Sequence, residues 1–369
     1  MRPSFAEINL SSLEFNYLNI RKKVNRKIMA VVKADAYGHG VERIVKKLNL
    51  LGNKRPNYYA VAIPEEGIEL RKLKVKQPVL IFEPISPQQA KLVFKYNLIP
   101  TVSSPQHLKI FEQTGKIEKP LRVHVKIDTG MNRIGVAYSD AFNFLINLSR
   151  DKNFITDGIY THFATSDEKD KTFANLQLER FKNIIQQLKE AGVDYGLAHA
   201  ANSGAILDMP EAYFDMVRPG ISLYGYYPSL ETSESIKLKP VMSLISFVNS
   251  VKRILPGESV SYGRKFTAEN ETTIIEVPFG YADGYRRNLT NKTFCLVKGK
   301  MYPQVGTITM DRVMFNAGND IIKIGQKVIL LGKTKTEKID AWDWGNVLGT
   351  IPYEVTCGIT KRVPRVYKD

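Results

Sequence analysis

The first 230 or so residues alternate short apolar runs with longer amphipathic runs, and this alternation limits the possible folds more than any other feature. Eight such pairs follow one another along the chain. The apolar runs, each the length of a buried strand, are residues 28–32, 58–63, 78–82, 99–102, 121–127, 156–162, 197–200 and 216–218. Helical spacing follows most of them, as in residues 41–51 and 173–191. The pattern predicts parallel strands joined by right-handed helical crossovers.

Eight strand–helix units in about 230 residues fit an N-terminal (β/α)8 barrel of the TIM type, with an active site at the carboxyl ends of its strands. A doubly wound parallel sheet is the structural alternative, but it usually has fewer strands. No Gly-x-Gly-x-x-Gly turn follows the first apolar run, and no P-loop occurs. We therefore expect an α/β barrel over residues 1–233.

The pattern changes near residue 230, after a polar, turn-like stretch. Glycine and proline then separate β-rich runs at residues 241–255, 272–277, 293–298, 313–316 and 327–331. A helix is indicated only over residues 341–348. We expect a second, mostly β domain over residues 234–369. A chain of 369 residues is long enough for two such domains.

Charge is the unusual feature of the composition: 53 Lys and Arg against 37 Asp and Glu give a formal charge of +16. Such an excess indicates nucleic acid, an anionic membrane or an anionic ligand as a partner. The densest basic runs, residues 21–27 and 71–76, lack the interleaved aromatic residues of an RNA-binding surface. We interpret them as solvated helix faces, and we expect no nucleic-acid partner.

Several features that the sequence lacks indicate the expected cellular location of the protein. The first residues lack the apolar core of a signal peptide, and no run of about 18 apolar residues occurs. Cys295 and Cys357 cannot form a disulfide framework and lack the spacing of a zinc site. We expect a soluble, cytoplasmic protein with no membrane segment and no metal.

Polar residues follow the strands where a barrel would place its active site. They are Lys33 after the first apolar run, Arg133 after the fifth, His162 at the end of the sixth, Asn202 and Ser203 after the seventh, and Arg218 at the end of the eighth. Each alone has an ordinary explanation, such as a lysine reaching solvent or a helix cap. Because all of these ends meet at one barrel mouth, we expect them to lie together.

Ser203 and Gly220 indicate an anion site. They lie in the loops after the seventh and eighth strands, and a short helix is expected after Gly220. That combination is the usual phosphate site of a (β/α)8 barrel. A phosphate site together with a lysine and an arginine at the mouth implies pyridoxal phosphate as the cofactor.

These residues belong to segments that resemble a known family along the whole chain. The segments include Val32-Lys33-Ala34-Asp35-Ala36-Tyr37-Gly38-His39-Gly40, Val260-Ser261-Tyr262-Gly263, residues 280–285, Met310-Asp311 and residues 351–355. In them the chain closely resembles the alanine racemases, the barrel-fold group of pyridoxal-phosphate enzymes. The resemblance implies interconversion of L-alanine and D-alanine, which supplies D-alanine for peptidoglycan.

The resemblance also implies roles for individual residues around the cofactor. Lys33 would hold the cofactor covalently, Arg218 would face its pyridine nitrogen, and Arg133 would contact its phenolic oxygen and the substrate carboxylate. The residues matching positions that hold the phosphate are Tyr37, Ser203, Gly220, Ile221 and Tyr353.

Two bases on opposite faces of the substrate are implied in the same way. Lys33 would serve the D-alanine face, and Tyr262 of the partner subunit the L-alanine face, with His162 linking Tyr262 to Arg218. Met310 of the partner subunit would offer its backbone N–H to the carboxylate, which makes a homodimer with shared sites necessary. The supporting positions are Lys126, which matches a lysine often carbamylated and able to position Arg133, Tyr281, which with Tyr353 would narrow the entrance, and Asp311.

Two departures and three alternatives stay open. Thr307 stands where many family members carry an arginine at the outer entrance, and Asp35 replaces a frequent asparagine. The chain could instead be a broad-specificity or serine racemase. A barrel-fold amino-acid decarboxylase is less consistent with Tyr262 and Arg218, and a nucleic-acid binder would rest on the basic excess alone.

Overall fold

Eight parallel strands form a nearly closed barrel in the computed structural model, which describes residues 3–115 and 117–369. In chain order the barrel strands are Lys27–Val31, Tyr58–Val61, Val79–Pro84, Ile99–Val102, Leu121–Asp128, Phe154–Tyr160, Leu197–His199 and Met216–Val217. We refer to them as barrel strands one to eight. Strand eight pairs with strand one through Met216 and Lys27, while strand seven ends the hydrogen-bonded path. All eight predicted strands are present, so the barrel prediction is confirmed.

Helices cover the outside of the barrel and alternate with its strands. Their bounds are Leu10–Val24, Val41–Asn49, Pro64–Lys72, Ala90–Lys95, Pro105–Glu112, Tyr138–Ser149, Thr172–Glu190 and Ser203–Asp208. Short 3-10 helices lie at Gly52–Lys54, Pro210–Ala212 and Ile221–Tyr224. Barrel strands are buried on both faces, as in strand two, where all four residues are buried. None of the helices within residues 3–115 and 117–369 has the length and apolar character needed to cross a membrane.

The first part of the basic run at residues 21–27 lies on a helix, as expected, whereas Arg26 and Lys27 follow the end of that helix. The helix Leu10–Val24 begins where Ser12 N donates to Asn9 Oδ1 over 2.6 Å and ends at Asn25, whose φ is 45°. Its last turn carries three basic residues, where positive charge is favourable beside the exposed carbonyls. Lysines at this helix end therefore have a local structural reason.

Arg71 departs from that interpretation because its guanidinium does not face solvent alone. It donates hydrogen bonds of 2.8–3.0 Å to four backbone carbonyls, those of Val75, Gln77, Tyr96 and Asn97. These bonds tie the end of the helix Pro64–Lys72 to the approaches of barrel strands three and four. Part of the basic run at residues 71–76 is thus structural.

The second domain contains two antiparallel-rich sheets. The larger sheet runs in the order Lys300–Pro303, Phe294–Val297, Lys327–Lys333, Met242–Phe247, Phe5–Asn9, Arg365–Lys368, with Lys338–Ile339 paired to Lys327–Lys333. The smaller sheet consists of Ser250–Ile254, Thr272–Val277 and Val313–Gly318. Helices lie at Ala341–Leu348, as expected, and at Pro352–Cys357; 3-10 helices lie at Tyr262–Arg264, Tyr281–Asp283 and Arg287–Leu289.

The strand Phe5–Asn9 joins the two domains. It precedes the barrel in the chain, yet it lies between Met242–Phe247, to which it is antiparallel, and Arg365–Lys368, to which it is parallel. The sequence assigns residues 1–233 to the barrel domain, so this pairing differs from the expected division. It brings the end of the chain against the barrel loops that carry Lys33.

Candidate active site

A cavity of about 250 Å³ opens at the carboxyl ends of the barrel strands. Its lining brings together ten of the residues expected at the site: Lys33, Tyr37, Lys126, Arg133, His162, Ser203, Arg218, Gly220, Ile221 and Tyr353. Nine of them come from strands or loops around the barrel, and Tyr353 comes from the helix Pro352–Cys357 of the second domain. A single chain therefore brings these ten residues together.

Lys33 enters the cavity from an unusual backbone turn. The four residues after it, Ala34–Tyr37, all have φ between 52° and 54°, the left-handed region, and none is glycine. Such a conformation costs roughly 1–2 kcal/mol per residue in an L-amino-acid chain. Strain of this kind persists only where the surroundings impose it, and it is concentrated at functional sites.

Residues from both domains hold this turn in place. Ala34 N donates to Glu66 Oε1 over 2.6 Å, just beyond Lys33. At the other end, Arg365 Nη2 donates to the carbonyl of Gly38 over 3.0 Å. The first contact comes from a barrel helix and the second from the last strand of the second domain. Lys33 is therefore positioned by long-range contacts.

His39 closes the turn from below. Its Nδ1 lies 3.0 Å from the carbonyl oxygen of Ala36 and 2.9 Å from that of Tyr37, so Nδ1 carries the proton and donates to both. The imidazole stacks on Tyr224 with ring centroids 4.6 Å apart. Burial lowers the pKa of His39 to about 4, which keeps the ring neutral at physiological pH.

Ser203 and Gly220 form a cradle between the loops that follow strands seven and eight. Ser203 Oγ accepts from Gly220 N over 2.9 Å and from Ser222 N over 3.3 Å. A Cβ at position 220 would lie 2.6 Å from Tyr37 Oη, so any side chain there would displace the tyrosine hydroxyl. The close approach explains the glycine and leaves hydroxyl and backbone N–H groups crowded at one end of the cavity.

Arg218 is a buried cation held by neutral acceptors. Its side chain is 3% exposed and donates to the carbonyls of Thr161, His199 and Ala200 over 2.8–2.9 Å. It also reaches His199 Nδ1 at 2.9 Å and His162 Nδ1 at 3.4 Å. Burial lowers the pKa of Arg218 to about 10, so the guanidinium remains charged at pH 7. No carboxylate lies among these five partners.

Lys126 and His162 show how cationic the cavity is. Burial, followed by the charges of Arg133 and Arg218, lowers the pKa of Lys126 to about 8. Enclosure by protein atoms lowers the pKa of His162 well below its usual range, with Arg218 as the next cause. The cavity therefore favours an anionic ligand, and His162 is neutral within it.

The other four expected site residues lie outside this cavity, on the second domain. Tyr262 is 74% exposed and Met310 is 52% exposed. Tyr281 is also exposed, beside Arg286 and Arg287 in a different hollow. Asp311 forms an ion pair with Arg362 at 2.7 Å. A single chain thus does not bring these residues to Lys33.

Thr307, which the resemblance places at an outer entrance, is buried beneath Tyr262 in this chain. Its side chain donates from Oγ1 to the carbonyl of Tyr262 over 2.6 Å and is 2% exposed. Ser261 Oγ in turn donates to the carbonyl of Thr307 over 2.7 Å. Both bonds brace a strained turn in which Ser261 has φ of 63°. The short side chain of Thr307 thus allows its hydroxyl to reach the carbonyl of Tyr262 from inside the domain.

Several lining residues were not singled out as site residues from the sequence. They are Phe82, Glu83 and Tyr160, and each lies at or near the carboxyl end of a barrel strand; Asn202, expected at the mouth with Ser203, lines the cavity as well. That position was the available signal. Over residues 3–115 and 117–369, no group of three or more His, Cys, Asp and Glu side chains is placed to hold a metal ion.

Comparison with known proteins gives a consistent family. The alanine racemase N-terminal domain family matches residues 8–228, and the alanine racemase C-terminal domain family matches residues 241–367. The chain is 44% identical to an alanine racemase of Clostridium tetani, over 100% of this chain and 96% of that protein. It is 41% identical to one of Halothermothrix orenii, over 100% and 97%.

A solved structure agrees with the fold as well. An alanine racemase of Clostridium difficile 630 superposes with a TM-score of 0.92 at 38% identity, covering 100% of this chain and 96% of that one. The fold of both domains is therefore shared with that enzyme. The chain belongs to the alanine racemase family.

Proposed function

We propose that the chain catalyses the interconversion of L-alanine and D-alanine with pyridoxal phosphate as its cofactor, in a homodimer with shared active sites. The observation that carries the proposal is the cationic cavity, whose lining combines Lys33, just beyond strand one, with Arg133, Arg218 and the Ser203–Gly220 cradle. Family membership supports the reaction. The charges of the cavity support a ligand with both a phosphate and a carboxylate.

The residues present fit pyridoxal phosphate. The cradle offers the hydroxyl of Ser203, whose oxygen accepts from the N–H groups of Gly220 and Ser222 and leaves its own proton to donate, and Tyr37 and Tyr353 line the same cavity. Lys33 supplies a primary amine, and Ile221 begins the 3-10 helix beside the cradle. When bound, this cofactor links covalently to amines and stabilises negative charge at the Cα of an attached amino acid.

Arg218 would set the strength of that stabilisation. A guanidinium donates hydrogen bonds and accepts none, and Arg218 keeps its proton at neutral pH because its pKa is about 10. It can therefore hydrogen-bond a ring nitrogen without protonating it. Incomplete charge withdrawal favours returning a proton to Cα over side reactions such as transamination.

Racemisation requires one proton donor and acceptor on each face of Cα. Lys33 would act on the D-alanine face and Tyr262 of the partner subunit on the L-alanine face. Arg133 and the backbone N–H of Met310 of the partner subunit would hold the carboxylate. The high exposure of Tyr262 and Met310 supports their contribution to a second copy of the chain.

The neighbours of these groups would tune binding. Tyr281 and Tyr353 carry bulky rings that would narrow the entrance and favour a methyl side chain, as in alanine. Asp311 pairs with Arg362, which also approaches Asp283 at 3.5 Å and so holds the segment after Met310. We propose these as supporting positions of the site.

Lys126 is the proposed site of carbamylation. Its pKa of about 8 leaves a fraction of neutral, nucleophilic amine at pH 7, and its burial disfavours the cation. A carbamate would convert the cation into an anion that attracts Arg133. Bicarbonate labelled with ¹³C should therefore give a protein-bound carbamate NMR signal that Lys126→Met removes, and its persistence in that variant would contradict the assignment.

We also propose a cytoplasmic location and a role in supplying D-alanine for peptidoglycan. The two cysteines support a reducing compartment: Cys295 is buried, Cys357 is exposed, and both are free thiols.

A panel of amino acids tests the function. Purified protein loaded with pyridoxal phosphate is incubated separately with both enantiomers of alanine, serine and larger amino acids, and the opposite enantiomer is measured. Alanine should racemise fastest in both directions, and Lys33→Ala should abolish it. Faster turnover of serine would shift the assignment to the broader racemase. Release of carbon dioxide without racemisation would contradict it.

Borohydride reduction tests the cofactor separately. The loaded protein should have a visible absorption band that reduction removes, and the reduced cofactor should be recovered on the peptide that contains Lys33. A loaded, active protein whose Lys33 carries no reduced cofactor would contradict the role of that amine.

A further inference from the structure

A line of polar groups crosses the inside of the barrel from the active-site end to the opposite end. Arg218 Nη1 lies 2.9 Å from His199 Nδ1, and His199 Nε2 lies 2.9 Å from His124 Nδ1. His124 Nε2 lies 3.1 Å from Asp157 Oδ2. Both histidines are fully buried. The interior of such a barrel is ordinarily filled by branched apolar side chains, so this line is unusual.

Elementary hydrogen-bond chemistry determines where every proton in the line lies. Arg218 can only donate, so His199 Nδ1 must be the acceptor. A neutral imidazole has one N–H, which places the proton of His199 on Nε2 and makes His124 Nδ1 the next acceptor. His124 must then carry its proton on Nε2 and donate it to Asp157. All donors point in one direction, toward the carboxylate.

The charges at the far end agree with this direction. Burial alone would raise the pKa of Asp157, but hydrogen bonds from His124 and Arg122 outweigh it and hold the pKa below the usual range. Arg122 Nε donates to Asp157 Oδ1 over 2.9 Å, and Tyr58 Oη donates to Oδ2 over 3.2 Å. Burial lowers the pKa of both histidines, so both are neutral and Asp157 is ionised.

The barrel wall is shaped around these two rings. A Cβ at Gly158 would lie 2.7 Å from His124 Cε1, so this strand residue leaves room for the imidazole. On the other side, the ring of Tyr160 stacks on His199 with centroids 4.9 Å apart and planes 5° from parallel. Neither ring can rotate without a clash or loss of stacking. Each nitrogen therefore faces one fixed partner.

We propose that Asp157 is a positioning residue for the active site: through His124 and His199 it keeps an unprotonated nitrogen facing Arg218 and so fixes the orientation of that guanidinium at the cavity. The proton arrangement stands on the geometry of this chain alone. Its effect on racemisation rests on the proposed function, in which Arg218 faces the cofactor.

Asp157→Asn should reverse the direction of donation along the whole line of hydrogen bonds, with almost no change in side-chain volume. Arg122 would continue to bond the remaining side-chain oxygen, which turns the new NH₂ group toward His124 Nε2. That nitrogen must then accept, so the proton moves to Nδ1 of His124 and, one step on, to Nδ1 of His199. Two donors would then face each other between His199 and Arg218. Arg122→Gln is the matched control, because it removes the ion pair but leaves the carboxylate.

The proton positions can be read by NMR of ¹⁵N-histidine-labelled, cofactor-loaded protein, which has five histidines. Protonated and bare ring nitrogens differ strongly in chemical shift, and couplings to the carbon-bound ring protons distinguish Nδ1 from Nε2. In the unsubstituted protein, His199 and His124 should both carry the proton on Nε2. Asp157→Asn should move both protons to Nδ1, and Arg122→Gln should leave them in place.

Kinetics then test the effect on Arg218. Asp157→Asn should lower kcat/KM for alanine about 10- to 100-fold, the scale for groups that orient a directly acting residue. The kcat/KM of Arg122→Gln should stay close to that of the unsubstituted protein. Moved protons with unchanged kcat/KM would overturn the positioning role. A proton on Nδ1 of His199 in the unsubstituted protein would overturn the proposal even if Asp157→Asn failed to fold. A loaded protein with the expected protons but no racemisation would instead count against the proposed function.

Discussion

The barrel cavity and the Tyr262 surface, by which we mean the exposed side chains of Tyr262, Tyr281 and Met310, are built in opposite ways. In the cavity, Arg218 is 3% exposed and Lys126 is 5% exposed, and contacts from several strands hold the charged groups. On the Tyr262 surface, the side chains are 40–74% exposed, although Thr307 holds the backbone beneath. One region is complete within a chain, and the other presents side chains outward.

This contrast supports the proposed division of the site between two subunits. Bringing several cations together is unfavourable unless an anionic ligand compensates their charge. The fold of one chain must therefore hold the charged side chains of the cavity in place against their mutual repulsion. Exposed tyrosine and methionine are typical of surfaces that bury themselves against a partner. The cavity would then provide one base and the anion sites, and a second copy would provide the other base.

Loss of the Tyr262 hydroxyl is the most severe test of this division. Tyr262→Phe should lower racemisation in both directions about 100- to 10,000-fold, the range for removal of a general acid–base group. The loaded cofactor band should remain, because Lys33 lies in the other region. Polarimetry or a coupled assay measures the rate.

Hydrogen exchange provides the internal control for that variant. In heavy water, Tyr262→Phe should still exchange the α-hydrogen of D-alanine, because Lys33 alone serves that face. Racemisation near that of the unsubstituted enzyme would remove Tyr262 as a base. Equal loss of exchange and racemisation would show that the substitution damages the cavity itself.

Mixed dimers test whether the two regions belong to different subunits. Lys33→Ala and Tyr262→Phe are each inactive alone, but after mixing and reassociation one site in each mixed dimer has both residues intact. Random mixing makes half of the dimers mixed, so about one quarter of the unsubstituted activity should return. Activity is measured after denaturant-assisted subunit exchange.

The control for mixing is a chain that carries both substitutions. Mixed with either single variant, it produces no dimer site with both residues, so no activity should return. Failure of the two single variants to complement would place Lys33 and Tyr262 of the same chain in one site, or neither in any.

Local patterns predicted the barrel, because each of its eight strand–helix units is written in neighbouring residues. The strand Phe5–Asn9 was not predicted, since its partners Met242–Phe247 and Arg365–Lys368 lie at the far end of the chain. None of the residues Ala34–Tyr37 in the left-handed turn is glycine, although Gly38, with φ of 81°, follows them. His39 holds the turn locally, but the contacts from Glu66 and Arg365 come from distant parts of the chain and could not be predicted from neighbouring residues.

The candidate site divides in the same way. Lys33, His162 and Arg218 could be predicted from their positions at strand ends, whereas the interest of Tyr262 came only from a family resemblance. His124 and His199 each look like ordinary buried residues in the sequence. Their connection becomes visible only when strands five, six and seven lie side by side.

Lys126 tests the energetic cost of the cationic cavity. Its pKa falls from 10.5 to about 8, with burial as the largest cause, and each unit corresponds to about 1.4 kcal/mol. Lys126→Met should therefore raise the free energy of unfolding of the cofactor-free protein by about 3 kcal/mol at pH 7. Urea denaturation in bicarbonate-free buffer measures it.

The pH dependence has a definite sign. Below pH 8, both folded and unfolded Lys126 are charged, so the full penalty is present. Between pH 8 and 10.5 the unfolded state binds more protons, the unsubstituted protein gains stability as pH rises, and the advantage of Lys126→Met should shrink. Lys109→Met, at an exposed helix position, should change stability by less than about 0.5 kcal/mol. An advantage that grows above pH 8 would contradict the buried charge.

The smallest expected effect concerns the support beneath the Tyr262 surface. Thr307→Val removes the hydroxyl that donates to the carbonyl of Tyr262 over 2.6 Å but keeps a side chain of nearly the same shape. An uncharged hydrogen bond contributes about 0.5–1.5 kcal/mol, so kcat/KM should fall about 2- to 10-fold. Thr307→Ser keeps the hydroxyl and should restore most of the rate.

The two regions separate this effect from a general loss of stability. Because Thr307 braces only the turn that carries Tyr262, exchange of the α-hydrogen of D-alanine through Lys33 should stay near normal in Thr307→Val while racemisation falls. A merely destabilised protein would lose both in proportion to its folded fraction. Unchanged racemisation in Thr307→Val, or an equal fall in Thr307→Ser, would show that the buried hydroxyl does not hold the second base, and that the Tyr262 surface is positioned by the partner subunit instead.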